Sequence, residues 1–168
     1  MGGSKRKHVR WFISVGAGLF IVALVVSAIF EPSIRLLHAL QTLIYIAVIV
    51  LTRRESAWGF GAGCIIAAFW NYLNLFVTTF ISAGLEQVSI LLHTGSLPPP
   101  DLLIAVFAAA GHFLLIIGCL AEFVRTGLTF GRLGQFVAGG SLAVAYFALI
   151  IVLTGPQYIG LLRKLFHL

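Results

Sequence analysis

The sequence predicts an all-α fold, a polytopic transmembrane helical bundle of five spans. Three observations lead there. Of 168 residues, 60% are hydrophobic and only 10% are charged, whereas an ordinary soluble domain carries about 25% charged residues. The charges gather in short clusters that separate long apolar runs, which is how a membrane protein is punctuated. All five prolines fall between those runs. A surface so poor in charge would not keep a soluble monomer dissolved. About 20 apolar residues cross the hydrocarbon core as a helix. Five spans with short loops therefore nearly use up the chain, giving a single integral membrane domain over residues 1–168.

The first span is read at residues 11–30, behind Lys5, Arg6, Lys7 and Arg10. Val26-Ser27-Ala28 has the look of a signal cleavage site. The apolar stretch is longer than the 7–15 residues of a signal h-region, so a retained anchor is expected. Glu31-Pro32-Ser33 is a turn, with Pro32 suited to the first turn of the next helix. The second span covers 34–52 and ends at Arg53-Arg54-Glu55. The third, 57–82, opens with the interfacial aromatic Trp58 and carries Gly59 and Gly63 in GxxxG spacing. That spacing allows a second helix to come close.

From Ala83 to Pro100, Leu85, Val88 and Leu92 share a face opposite Glu86, Gln87 and His93, so a short interfacial helix is expected there. Pro98-Pro99-Pro100 stops it, and Asp101 caps the fourth span, 102–124. Residues 125–135 read as a glycine-containing polar loop, 136–154 as the fifth span, and Gly155-Pro156 as its breaker. The tail has Ile159, Leu161, Leu162, Leu165 and Phe166 against Arg163, Lys164 and His167, the pattern of a second interfacial helix.

Eight Lys and Arg residues fall on one side of these spans and three on the other. The excess marks the cytoplasmic side, with the N-terminus inside and the C-terminus outside, as in a bacterial inner membrane. The basic tail fits this arrangement poorly. The net charge of +6 sits at the ends of spans, so no nucleic-acid partner is expected. Cys64 and Cys119 both lie within spans, in no metal-binding spacing and with no disulfide framework.

Polar groups inside a bundle need partners, and ionisable ones there are functional candidates. At about 1.5 Å per residue, Gln41 lies roughly 10 Å below the start of its span and Tyr45 roughly 16 Å. His112 lies about 15 Å down the fourth span, near the midplane. Asn71 and Asn74 lie in the outer half of the third. Together these five form an expected polar layer, for a solute, for a lipid headgroup, or for interhelical hydrogen bonds. Gly111, beside His112 and after Ala108-Ala109-Ala110, provides a further close-approach point. Glu122 and Arg125 are spaced i, i+3 for an ion pair at the headgroup level.

No GxSxG, HExxH or P-loop motif occurs, and no paired carboxylates or metal ligands suggest themselves. The first expectation is therefore a non-catalytic accessory subunit or packing component of a membrane complex, with the bilayer and either other subunits or further copies of the chain as partners. The second is a small transporter or channel using the polar layer. The third is a membrane enzyme or haem protein. No cofactor is expected outside that third reading, in which His112 would ligate haem, with His38 as the opposite ligand.

Overall fold

The computed structural model describes residues 3–96, 100–154 and 159–160. It contains six α-helices: α1 (Gly3–Phe30), α2 (Arg35–Arg53), α3 (Ala57–Tyr72), α4 (Phe80–Thr94), α5 (Pro100–Arg125) and α6 (Phe130–Thr154). Five stretches are long and apolar enough to cross a membrane: Arg10–Phe30, Pro32–Arg53, Ala57–Val77, Leu103–Arg125 and Phe130–Thr154. No strand occurs among the described residues. A helix satisfies every backbone group within itself, which is what a water-free hydrocarbon core demands.

The helices run up and down. α1 packs on α5 and α2, while α3 sits centrally against α2, α5 and α6. Large side chains such as Val25, Leu43, Phe113, Ile117 and Leu142 point outward and are exposed, as lipid-facing residues are. One end of the bundle carries Arg10, Arg53, Arg54, Arg125 and Arg132, and is called the basic end below.

Glycine sets the closeness of two helix pairs. A β-carbon on Gly16 would lie 2.5 Å from the Gly111 carbonyl oxygen, and one on Gly111 would lie 2.8 Å from the Gly16 oxygen. The α1 and α5 backbones therefore touch directly. Gly61 meets the Phe136 backbone and Gly139 the Trp58 backbone, closing α3 on α6 in the same way. Gly59 packs on Leu51 and Gly63 on Cys119 and Val48. The GxxxG pair thus faces α2 and α5, while Gly61 and Gly139 seal the α3–α6 seam.

Several boundaries differ from the sequence reading. α1 is already helical at Gly3, ahead of the apolar run. The polar loop expected over 125–135 shrinks to Thr126–Thr129, because α6 begins at Phe130. The Thr129 hydroxyl accepts the Arg132 amide at 3.3 Å, an N-cap that carries the helix through Gly131 and Gly134. α5 starts at Pro100, so Asp101 lies inside the first turn rather than at the cap, and Pro100 opens the helix, where no amide is needed.

The third span ends early. α3 gives way to a π-helical turn over Leu73–Val77, with the Thr78 amide donating to the Leu73 carbonyl at 2.9 Å. Thr79 then adopts a left-handed conformation, φ +59°, and α4 starts at Phe80 rather than near Ala83. The packed side of α4 is the row Ile81, Gly84, Val88 and Leu91, whereas Leu85 and Leu92 stay exposed. The tail expected as a second interfacial helix lies outside the described residues apart from 159–160.

Candidate functional site

Opposite the basic end, a cavity of about 350 Å³ opens between α1, α2, the π-turn, α4, α5 and α6. Its polar lining comes from Ser27, Glu31, His38, Gln41, Asn74 and Thr78. The geometry of each helix explains the set. His38 and Gln41 are one turn apart on α2. Ser27 and Glu31 are one turn apart at the end of α1, where the Glu31 amide still donates to the Ser27 carbonyl at 2.9 Å. The extra residue of the π-turn re-aims Asn74 and Thr78, a distortion that frequently accompanies functional sites.

The hydrogen bonds divide this lining into committed and uncommitted groups. Asn74 Nδ2 donates to the Trp70 carbonyl at 3.0 Å, and the Thr78 hydroxyl donates to Asn74 Oδ1 at 3.1 Å. Both therefore brace the broken end of the third span. His38 Nδ1 lies 3.0 Å from the Leu24 carbonyl. A carbonyl only accepts, so Nδ1 carries the proton and Nε2 of the neutral ring is an acceptor. Gln41 is only 6% exposed, and its Oε1 has no hydrogen-bond partner among the described residues.

Aromatic rings form the floor. Phe20 and Trp70 line the cavity and meet edge to face, with centroids 5.2 Å apart. Each also covers His112, Phe20 at 4.0 Å and Trp70 at 4.8 Å between centroids. Below them, fully buried, the Tyr45 hydroxyl and His112 Nε2 share a hydrogen bond of 2.7 Å. His112 Nδ1 has no partner among the described residues.

The five residues of the expected polar layer are thus separated by the structure. Gln41 and Asn74 line the cavity, while Tyr45 and His112 pair beneath its floor. Asn71 is buried, with neither side-chain atom bonded among the described residues. Its level follows from register. Gly63 opposes Cys119 and Trp70 opposes His112 on antiparallel α3 and α5, which places Asn71 beside the Gly111–His112 level.

The basic end is closed by charge. Glu122 has no exposed surface; Arg125 Nη2 lies 2.5 Å from its carboxylate and Arg10 Nε 3.7 Å away. Arg10 also pairs with Glu55, and Arg125 Nη2 lies 3.7 Å from the Glu55 carboxylate. Arg132 donates to the Glu55 carbonyl at 3.3 Å and to the Thr126 hydroxyl at 2.6 Å. The expected Glu122–Arg125 pair is therefore one edge of a network joining α1, the α2–α3 turn, α5 and α6.

Glu55 holds its place in that network in a left-handed conformation, φ +56°. It sits at the C-terminal turn of α2, where the Ser56 amide reaches back to the Leu51 carbonyl at 3.1 Å and the Glu55 amide to the Thr52 carbonyl at 3.0 Å. This is a Schellman closure with glutamate where glycine is usual.

Sequence reasoning passed over Phe20, Trp70, Ser27, Glu31, Arg10 and Glu55 as site members. A signal existed for Glu55, since it and Glu122 are the acidic residues at the basic end. For Phe20 there was none, because nothing in an apolar run marks which ring will cover a histidine. Both nitrogens of His112 are enclosed, Nε2 on Tyr45 and Nδ1 buried. No cluster of three metal-ligating side chains occurs among the described residues.

The fold and this site define a class: a five-span α-helical membrane protein with a polar cavity at one end and a sealed charge network at the other. In comparison with known proteins, the chain matches no family model, no curated protein and no solved structure.

Proposed function

We propose that the protein binds a small ligand in this cavity, which opens on the non-cytoplasmic side of the membrane. The observation that carries the reading is Gln41. A nearly buried amide whose oxygen has no partner among the described residues costs about 1–3 kcal/mol. Such a cost is offset when a group entering the cavity makes the missing bond. The volume of about 350 Å³ lies within the range of small-molecule sites. The orientation rests on the excess of Lys and Arg at the basic end, which marks the cytoplasmic side, as in a bacterial inner membrane. Beneath the cavity, Phe20, Trp70 and the Tyr45–His112 pair close the path inward. Binding from one side follows from this shape, and a transport step would require that floor to part.

Thiol accessibility tests the reading. Ser27→Cys, in a Cys64→Ala/Cys119→Ala background, reacts with a membrane-impermeant maleimide added from the non-cytoplasmic side and not from the other. Labelling from the cytoplasmic side only, or from neither side, would overturn it.

A second reading, an accessory subunit of a membrane complex, is favoured by a different observation. An apolar groove of about 390 Å³ runs between α2 and α6, with Ala47, Ala62 and Ala143 along it. Small residues of this kind let a partner helix come close. Co-purification of a second polypeptide, lost on Ala143→Leu, would support it; purification of this chain alone would not.

A further inference from the structure

We propose that the ligand is an organic ammonium, a protonated amine carried on an apolar body. This rests on the cavity being a binding site, and it follows from the sign of the charge on the described residues that line it. The formal charge on the described lining is negative: the Glu31 carboxylate stands at the mouth, with His38 Nε2 as a further acceptor part-way down, while Ser27 and the Gln41 amide can each donate as well as accept. No Lys or Arg side chain lines the cavity among the described residues. Arg35, the basic residue closest in sequence, donates instead to the Ala28 carbonyl at 2.9 Å. A carboxylate or phosphate would meet negative charge and lone pairs with no cation among the described lining residues to balance it. An ammonium has three N–H donors for those acceptors.

Two further features fit this charge. Glu31 forms no ion pair among the described residues; its carboxylate accepts only from the Ser33 hydroxyl, at 2.6 Å. The partly exposed Trp70 ring at the floor attracts a cation through its electron-rich face. Apart from Ser27, Asn74 and Thr78 the remaining wall is apolar, so the body of the ligand is largely hydrocarbon.

Trp70 provides the readout. In nanodiscs, the Trp11→Phe/Trp58→Phe variant is titrated with octylammonium, octanoate and octanol, each tipped with bromine, which quenches tryptophan on contact. The ammonium is expected to quench Trp70 saturably and at least tenfold more tightly than the other two. Glu31→Gln, a change at an exposed position that leaves the fold intact, is expected to weaken the ammonium about tenfold and leave octanol unchanged. Saturable quenching by octanoate or octanol at equal or lower concentration would overturn the ammonium inference and leave the binding site standing. Unaltered ammonium affinity in Glu31→Gln would overturn it as well. No saturable quenching by any of the three would remove the binding site itself.

Discussion

The Tyr45 hydroxyl lies 2.7 Å from His112 Nε2, with both side chains fully buried beneath the Phe20 and Trp70 rings. The bond ties α2 to α5 near mid-membrane, at the point where the cavity stops. A polar pair in hydrocarbon is worth less than its isolation implies, because the unfolded helices also find partners there. Measured couplings of this kind average about 0.6 kcal/mol.

A double-mutant cycle of Tyr45→Phe and His112→Leu is therefore expected to give a coupling of about 0.6–1.5 kcal/mol. Unfolding by a denaturing detergent in mixed micelles measures it. Tyr45→Phe alone is the more damaging single change, because it leaves both imidazole nitrogens without partners among the described residues.

At the basic end, the two halves of the Glu122–Arg125 pair are unequal. Among the described residues, Arg125→Gln leaves a fully buried carboxylate supported by Arg10 alone, at 3.7 Å. Glu122→Gln leaves cations that are about a third exposed, 32% for Arg125 and 35% for Arg10, and solvent or headgroups can receive them. Arg125→Gln is thus expected to lower the thermal midpoint more than Glu122→Gln, with the stranded charge on Glu122 costing about 1–3 kcal/mol. Scanning calorimetry of the two purified variants decides the order.

Glu55 stands in a left-handed conformation that costs a non-glycine residue about 1–2 kcal/mol. Glu55→Ala keeps that cost and loses the contacts with Arg10 and Arg125, whereas Glu55→Gly loses the contacts and relieves the backbone. Glu55→Gly is expected to be the more stable of the two variants by about 1 kcal/mol. Equal stabilities would contradict the left-handed geometry.

The glycines of α1 separate by position. Gly16→Ala drives a β-carbon into the Gly111 carbonyl and the Leu115 amide, at 2.5 and 2.7 Å. It is expected to destabilise by about 1–3 kcal/mol. Gly18→Ala meets nothing within 4 Å and is expected to be neutral or to stabilise by up to about 1 kcal/mol. The same detergent unfolding series compares the two.

Hydropathy made the five spans legible, because the hydrocarbon core imposes one length and one composition on every helix that crosses it. The ends were less legible. Gly131 and Gly134 read as a loop, yet the Thr129 cap and the Arg132 contacts with Glu55 and Thr126 hold that stretch in α6. Thr129 was a readable cap signal that the glycines obscured. The break at Asn74 was not readable. Its π-turn rests on Asn74 and Thr78 hydrogen bonds that compete with ordinary helix, and neither residue type demands it. Depth counting brought Tyr45 and His112 to one level, since rise per residue is fixed. It left open that Asn74 belongs to the cavity and that Asn71 is buried, because rotation about a helix axis depends on neighbours the sequence does not name.

The central claim is that the Gln41 cavity holds a ligand, and native mass spectrometry after mild extraction from the producing membrane tests it most directly. The account predicts that the wild-type chain carries a small adduct beyond its 18.1 kDa, and that Gln41→Leu, folded and equally abundant, loses it. A bare chain in both proteins, or an adduct that persists unchanged in Gln41→Leu, would contradict it.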